Sequence, residues 1–213
     1  MRAILICGGL LSEGFLNQTI KMYPDAVVYA VDGGLAVADK AGIMPTYLVG
    51  DFDTADASLV EQYEAKCVTL RHHPEKDATD TELAIEDALE RGAEELYLLG
   101  ATGSRLDHTF ANVHMLYKVL LRGKKAWIVN ENNRISLHRE PFCKKKEELF
   151  GTYVSFLPFF GEVTGIKLSG VKYPLNGATM TAGNSLGVSN ECVENSIEVS
   201  FTDGYLLMIE ARD

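Results

Sequence analysis

The order of apolar runs along the chain constrains its fold more than any other feature. Up to about Val129, short β-rich runs alternate with stretches of helical pattern. The runs are apolar almost throughout, which is typical of strands buried on both faces of a parallel sheet. We therefore predict an α/β domain with a doubly wound, mostly parallel sheet. The predicted strands are Ala3–Cys7, Val27–Val31, Tyr47–Val49, Cys67–Leu70, Leu96–Leu99 and Ala126–Val129, and the predicted helices lie near residues 13–22, 35–42, 57–65, 80–91 and 108–122.

The pattern changes after Asn130. Short strand-like runs follow, separated by Gly, Pro and Asn turns, and no stretch between Asn133 and Asp213 has a helical pattern. Asp203-Gly204 predicts a hairpin, and the charged run at 144–148 predicts a solvated hairpin loop. We predict an α/β domain over residues 1–130 and an antiparallel β-sandwich or half-barrel over 131–213.

Composition excludes several classes of function. The formal net charge of −10 argues against binding to nucleic acids or anionic membranes, which requires clustered Lys and Arg. The apolar run near Met1 is too short for a signal peptide and no later run could span a membrane, so we predict a cytoplasmic protein. The four cysteines are scattered without a CxxC pair and are expected to be buried thiols, and the histidines lack metal-binding spacing.

Acidic and small residues follow four of the predicted strands. Parallel strands end at one edge of their sheet, where ligands bind, so these loops are expected to meet there. Asp51-Phe52-Asp53 is predicted to be extended, with both carboxylates on one side and Phe52 facing away. Carboxylates without histidine or thiolate partners suit Mg²⁺ held together with a nucleotide. The loops are Asp32–Gly34, Gly50–Thr54, Lys76–Asp80 and Gly100–His108.

Two of these loops lead into predicted helices. Thr79 and Glu82 form a capping-box pattern, which leaves Asp80 in the first turn, where a helix-stabilising role and a catalytic role both fit. The loop over 100–104 could hold phosphate with its backbone amides, although it lacks the Lys of a Walker motif. Arg105 could grip phosphate with two nitrogens, and Asp107 would either cap the following helix or position Arg105.

Taken together, these motifs resemble the thiamine pyrophosphokinase family, and the resemblance continues over the second half of the chain. The segments that carry it are Asp32–Gly34, Gly50–Thr54, Lys76–Glu82, Gly100–His108, Gly170–Asn176 and Asn184–Glu191. The chain departs from the family pattern at Ser104, a position that is often Gly, and at Cys192, where bacterial relatives often have an aromatic residue.

The resemblance implies an ATP-dependent enzyme with Mg²⁺ as cofactor, a nucleotide-binding catalytic domain at 1–130 and a thiamine-binding β-sandwich at 131–213. It also implies a homodimer whose two active sites are each shared between subunits. The implied catalytic and metal-binding residues are Asp51, Asp53 and Asp80; the implied nucleotide-binding residues are Asp32, Lys76, Thr79, Thr102, Arg105 and Asp107; the implied thiamine-binding residues are Ser189 and Asn190.

The reaction implied by the resemblance is attack of the thiamine hydroxyl on the β-phosphorus of ATP, with AMP as the leaving group. Either Asp51 or Asp80 would accept or orient the hydroxyl proton, and Tyr173 and Phe201 are both candidates for the ring that stacks on thiamine. Another Mg²⁺-dependent nucleotide or sugar-nucleotide transferase would share the acidic loops but would not need the Ser189-Asn190 segment. A non-catalytic nucleotide sensor would not need to keep all the acidic positions.

Overall fold

The structure is a computed structural model that describes residues 1–52, 56–71 and 78–213. The chain divides into two compact units, Met1–Glu131 and Asn132–Asp213. No helix in the described ranges has both the length and the apolar character needed to cross a lipid bilayer.

The first unit contains a sheet of six parallel strands in the order β6-β5-β1-β2-β3-β4. Its strands are β1 (Arg2–Ile6), β2 (Val27–Val31), β3 (Tyr47–Gly50), β4 (Val68–Arg71), β5 (Glu95–Leu99) and β6 (Lys125–Val129). Its helices are α1 (Glu13–Met22), α2 (Gly34–Lys40), α3 (Ala57–Glu64), α4 (Asp80–Glu90) and α5 (Leu106–Leu121). The predicted doubly wound α/β fold is confirmed.

The strand order reverses between β1 and β5. From β1 the chain adds β2, β3 and β4 on one side, and it then crosses to add β5 and β6 on the other. In open parallel sheets, ligands bind in the crevice that opens at such a reversal, beyond the carboxyl ends of the strands. The middle strands are apolar and buried as predicted, and all of Ala3–Ile6 is inaccessible to solvent.

The prediction of burial on both faces is wrong for β4. This strand pairs only with β3 among the described strands, and both of its terminal residues, Val68 and Arg71, are exposed. An edge strand has a neighbour on one side only, so its apolar pattern comes from partial burial.

The second unit is a β-sandwich of two antiparallel sheets, ordered β12-β9-β14-β7 and β11-β10-β13-β8. Both sheets contribute side chains to one core, with Phe156 and Met208 from the first and Ile166 and Val199 from the second. The strands are β7 (Asn133–His138), β8 (Phe142–Lys145), β9 (Tyr153–Pro158), β10 (Glu162–Ser169), β11 (Leu175–Thr181), β12 (Asn190–Glu191), β13 (Ser196–Ser200) and β14 (Leu206–Ala211). Of the two alternatives left open by the sequence, the sandwich is the correct one.

Asp203-Gly204 does not form the predicted hairpin. The flanking strands β13 and β14 lie in different sheets, so this turn carries the chain from one sheet to the other. Gly204 has a φ of 111°, which only glycine adopts readily, and this explains the turn signal in the sequence. The Asp203-Gly204 pair indicates a turn, but the pairing of the strands on either side of it depends on distant residues.

The charged run at 144–148 does not form the predicted hairpin, and Lys144 is not solvated as predicted, although residues 145–148 are exposed. Lys144 belongs to β8, and its Nζ lies 2.8 Å from both carboxylate oxygens of Glu210, a side chain with 0% exposure. Arg134 donates two hydrogen bonds of 2.6 Å to the same carboxylate, and the Phe150 amide donates a third of 3.1 Å. Residues Lys146–Glu148 form a short 3-10 turn. A buried counter-charge that is distant in sequence therefore holds Lys144 in the fold.

The expectation of buried thiols holds for two of the four cysteines. Cys7 and Cys192 are buried and Cys67 is half-buried, whereas Cys143 is exposed on β8. Along a strand, alternate residues face opposite sides of the sheet, so a cysteine next to the inward-facing Lys144 points outward.

Candidate active site

A pocket of about 510 Å³ lies at the carboxyl edge of the parallel sheet. The loops that follow β1, β2, β3 and β5 form its walls, together with the start of α4. Six of the predicted site residues line this pocket: Asp32, Asp51, Thr79, Asp80, Thr102 and Arg105. The expectation that the strand-following loops meet is therefore correct for these residues.

Asp32 stands at a tight turn between β2 and α2. Its φ is 46°, a left-handed value that Asp tolerates better than most residues. α2 begins two residues later at Gly34, where a Cβ would lie only 1.8 Å from the carbonyl oxygen of Ile6. The close approach of α2 to β1 requires glycine there, and it sets the Asp32 carboxyl group at the pocket wall.

Asp51 follows β3 at the pocket wall, but the segment after it is not extended as predicted. Phe52 has a φ of 57°, so the backbone turns at this residue. The apolar residue does face away from solvent, because Phe52 is only 6% exposed and packs against Leu48, Val60 and Tyr63. Asp53, which the sequence assigned to catalysis and metal binding, lies outside the described residues.

The first turn of α4 carries Thr79 and Asp80 to the pocket. Thr79 Oγ1 accepts a hydrogen bond of 3.2 Å from the amide of Glu82, as predicted for an N-cap. The reciprocal half of the capping box is not formed, since the Glu82 carboxylate pairs with Lys118 of α5 instead. Lys76, predicted to bind nucleotide, lies outside the described residues.

The loop after β1 is part of the site, and sequence reasoning missed it. Gly8 and Gly9 line the pocket, where the Gly9 amide donates to the carbonyl of Gly100 and the Leu10 amide donates to that of Thr102, both at 2.8 Å. These bonds join the first loop to the loop after β5. Two glycines directly after a strand were the available signal, since such loops allow close backbone contacts.

The loop after β5 is held from behind by two amide side chains. The buried Asn112 donates to the carbonyl of Ala101 at 2.8 Å, and Asn130 donates to Oγ1 of Thr102 at 3.0 Å. Gly100 has a φ of 63°, and a Cβ there would lie 2.4 Å from the carbonyl oxygen of Cys7. Main chain therefore makes up much of this wall.

Arg105 is the only Arg or Lys among the described pocket residues. Asp107 does not line the pocket, but its carboxylate accepts two hydrogen bonds from the Arg105 guanidinium, at 3.2 and 2.5 Å. Asp107 therefore contacts Arg105 as predicted, and its Oδ1 also accepts a hydrogen bond of 2.9 Å from the His108 amide in the first turn of α5, although the N-cap residue is Arg105. These bonds, with one from the His108 amide, lower the pKa of Asp107 to about 2.

The anionic side chains of the pocket are the carboxylates of Asp32, Asp51 and Asp80. Burial raises the pKa of Cys7 to about 12, so this thiol stays protonated and is a poor metal ligand at neutral pH. Within the described residues, no three His, Cys, Asp or Glu side chains are close enough together to hold a metal ion. Asp51 and Asp80 nevertheless line one pocket, and Mg²⁺ commonly binds one or two carboxylates with water and substrate phosphates completing the shell.

Ser189 and Asn190 lie in the second unit and do not line this pocket. Ser189 is exposed, with a φ of 55°, and its amide donates to Ser155 Oγ at 3.0 Å. Asn190 is only 1% exposed. Among the aromatic candidates, Phe201 packs in the sandwich core with 9% exposure, whereas Tyr173 is 58% exposed.

Comparisons with known proteins match both units of the chain to the same family. The model of the thiamin pyrophosphokinase catalytic domain matches residues 21–128, and that of the thiamin pyrophosphokinase vitamin B1 binding domain matches residues 142–206. The chain is 33% identical over 184 residues to thiamine pyrophosphokinase of Bacillus subtilis (strain 168), with 86% of each chain covered. The crystal structure of the Bacillus subtilis enzyme gives a TM-score of 0.88 at 30% identity over the full length of both chains. That of thiamin pyrophosphokinase from Geobacillus thermodenitrificans gives 0.85 at 32% identity, covering 100% of this chain and 98% of the other.

Proposed function

We propose, because this chain belongs to the thiamine pyrophosphokinase family, that it transfers a pyrophosphoryl group from ATP to the hydroxyl of thiamine. The products are thiamine diphosphate and AMP. One observation carries the proposal: Asp32, Asp51, Asp80 and Arg105 converge on one pocket at the strand-order reversal. The match of residues 142–206 to the vitamin B1 binding domain disfavours a sugar-nucleotide transferase, which has no need of that domain.

Arg105 is proposed to hold the phosphates of ATP. A guanidinium presents paired donors to phosphate oxygens, and it cannot lose its charge at neutral pH. Asp107 is hydrogen-bonded to one edge of the Arg105 guanidinium. Because the guanidinium is already oriented, it loses less conformational freedom when phosphate binds. Asp32, Thr79 and Thr102 line the remainder of the proposed nucleotide site.

Asp51 and Asp80 are the described residues that would hold Mg²⁺, and their carboxylate oxygens fit its preference. When bound, magnesium neutralises charge on the phosphates. The proposed set also includes Asp53.

The chain's own residues mainly position the reactants. Transfer occurs by in-line attack of the thiamine hydroxyl on the β-phosphorus, and such reactions depend on alignment and charge stabilisation more than on covalent chemistry. Asp51 or Asp80 accepts the hydroxyl proton or orients it, and Arg105 faces the charge that develops on the phosphate oxygens.

Thiamine is proposed to bind the second unit, where the exposed ring of Tyr173, whose centroid lies 5.6 Å from Lys172 Nζ, can stack on its heterocycles. The described pocket lining belongs entirely to the first unit. We propose that a homodimer completes each active site with the pocket of one subunit and the Tyr173 and Ser189 region of the other. A cytoplasmic location stays a prediction from the sequence.

Incubation of the purified protein with Mg-ATP and thiamine tests the reaction. Mass spectrometry should identify thiamine diphosphate and AMP in equal amounts. A reaction that yields ADP and thiamine monophosphate would refute the proposal. The Asp80→Asn variant, which removes a charge while keeping the side-chain size, should fold normally and lose most of the activity.

A further inference from the structure

We infer that Asn190 is a positioning residue: its buried amide clamps the backbone of Tyr173 and thereby fixes the ring that faces thiamine. The inference rests on the proposed function for the assignment of Tyr173. It departs from the expectation, implied by family resemblance, that Asn190 itself contacts thiamine.

The hydrogen bonds of the Asn190 side chain leave little capacity for a ligand. Its Nδ2 donates to the carbonyl of Tyr173 at 2.8 Å, and its Oδ1 accepts from the amides of Tyr173 and Glu191 at 2.9 and 3.0 Å. An asparagine offers two acceptor sites and two donor hydrogens. Three of these four are therefore used by main chain, and the residue is 1% exposed.

The pairing also fixes which way the amide points. The Tyr173 amide can only donate and its carbonyl can only accept, so the Asn190 oxygen must face the former and the nitrogen the latter. Both main-chain polar groups of Tyr173 are thus held by one side chain, in the way that a neighbouring strand would hold them.

Further contacts join the segments on either side. The Lys172 amide donates to the carbonyl of Glu191 at 2.9 Å, and their side chains form an ion pair at 2.7 Å. The Val193 amide donates to the carbonyl of Gly170 at 3.0 Å. These bonds hold segment 170–173 along segment 190–193, so the exposed Tyr173 ring stands on a fixed backbone.

A fixed backbone matters because an ordered ring loses less conformational freedom when a ligand stacks on it. Without the clamp, the Tyr173 backbone would lose two hydrogen bonds at once, and its ring would sample positions unsuited to stacking. The expected result is weaker binding of thiamine with unchanged binding of ATP.

A double-mutant cycle between Asn190→Asp and Tyr173→Ala tests the inference. Asn190→Asp keeps the shape of the side chain but places an oxygen opposite the Tyr173 carbonyl, so one clamp bond is lost. Alone, it should raise the KM for thiamine about tenfold, a loss typical of a buried hydrogen bond, and leave the KM for ATP within about twofold. In the Tyr173→Ala background it should change the KM for thiamine by less than about twofold, because the ring that it positions is gone.

Amide hydrogen exchange measured by NMR supplies a readout independent of activity. In Asn190→Ala the Tyr173 amide should exchange at least about tenfold faster, while amides of β10 and β14 stay protected. For the KM measurements, Asn176→Asp makes the same chemical change as Asn190→Asp at an exposed residue of β11 and serves as its control. Tyr173→Phe keeps the ring and should keep the KM for thiamine near that of the wild type.

Additive effects of the two substitutions on the KM for thiamine would overturn the inference alone, since they would show that Asn190 acts on thiamine binding independently of the Tyr173 ring. Unchanged exchange of the Tyr173 amide in Asn190→Ala would overturn it as well. Failure of the wild-type protein to use thiamine would refute the proposed function and this inference together.

Discussion

Replacement of Gly9 by Ala tests whether the joined loops after β1 and β5 hold the pocket in shape. A Cβ at Gly9 would lie 2.3 Å from the carbonyl oxygen of Gly100 and 2.4 Å from that of Thr102, whereas real Cβ contacts essentially never fall below 3.0 Å. One of the two loops must therefore move by about 0.7 Å or more to separate this Cβ from Gly100. Its two hydrogen bonds to the other loop, both 2.8 Å long, cannot survive that shift unchanged.

Two consequences of different size follow from this displacement. Loss of two backbone hydrogen bonds costs about 1–3 kcal/mol of unfolding free energy, at roughly 0.5–1.5 kcal/mol each. Misplacement of pocket groups by about 1 Å can cost a hundredfold in rate. We expect Gly9→Ala to lower kcat/KM by about 10- to 100-fold in a protein that still folds.

The assay is AMP release in steady state, paired with thermal unfolding followed by circular dichroism. Gly14→Ala is the matched control, because its Cβ would meet no atom within 4 Å and it lies in α1, where Ala is preferred to Gly by about 1 kcal/mol. The control should be active and slightly more stable. If Gly9→Ala retains the kcat/KM and the melting temperature of the wild type, the two loops do not determine the shape of the pocket.

Four further predictions concern other parts of the molecule. Arg105→Lys should raise the KM for ATP about tenfold and spare that for thiamine, since Lys cannot form the two-pronged contact; equal changes in both would contradict the phosphate role. In Arg105→Gln, the pKa of Asp107 should rise from about 2 toward the ordinary value of about 3.9, as measured by NMR titration. In the wild type, the ion pair of Arg105 with Asp107 should be fully formed above a pH of about 3.9 and should be lost as the pH falls through about 2. Glu210→Gln should lower the unfolding free energy by about 3–5 kcal/mol, because it leaves two cations around a buried neutral group; a loss below about 1 kcal/mol in urea unfolding at pH 7 would contradict this. Asp51→Asn should be nearly inactive, and Tyr173→Ala should show little activity at thiamine concentrations far below its raised KM; at those concentrations, co-expression of the two should recover about a quarter of wild-type activity through mixed dimers, and demonstrated mixed dimers without activity would refute the shared site.

The stabilisation that we expect from the Glu210 carboxylate should depend on pH in a defined direction. Burial acts to raise the pKa of Glu210, but the hydrogen bonds and charges of Arg134 and Lys144 outweigh it, so the pKa lies below its ordinary value. A lowered folded-state pKa stabilises the fold above the unfolded pKa of about 4.3, and this contribution is lost as pH falls through the folded value. The difference between the wild type and Glu210→Gln should therefore shrink in that acidic range.

The architecture of the first unit could be predicted because its signals are local. Buried strands such as β1 and β5 are apolar almost throughout. Thr79 is a typical N-cap residue, so it predicts the start of α4. The order of strands and the meeting of Lys144 with Glu210 depend on packing between residues far apart in sequence. The periodicity of the sequence does not encode such long-range contacts. Neither the strand order nor the ion pair of Lys144 with Glu210 could therefore be predicted.

Some residues of the candidate site could likewise be predicted from local patterns, and others could not. Residues that follow strands, such as Asp32 and Asp51, are brought to one edge by any parallel sheet. The roles of Gly9 and Asn190 come from contacts with Gly100 and Tyr173, which lie 91 and 17 residues away. The sequence shows that residue 190 carries a side-chain amide. Whether that amide points into the protein or toward solvent depends on its contacts with the Tyr173 segment, which the sequence does not show.

The left-handed turn at Phe52 links the core to the acidic pocket. A non-glycine residue with positive φ stores about 1–3 kcal/mol of strain, and burial of the Phe52 ring, worth about 1.5–3 kcal/mol, offsets it. Shape changes at Val60 or Tyr63, which pack on this ring, should therefore reach Asp51 through the backbone. Variant libraries selected only for folding would accumulate diversity at these two positions, whereas libraries selected for growth without external thiamine diphosphate would not. In this enzyme, natural selection on catalysis would then act on residues that never meet a substrate.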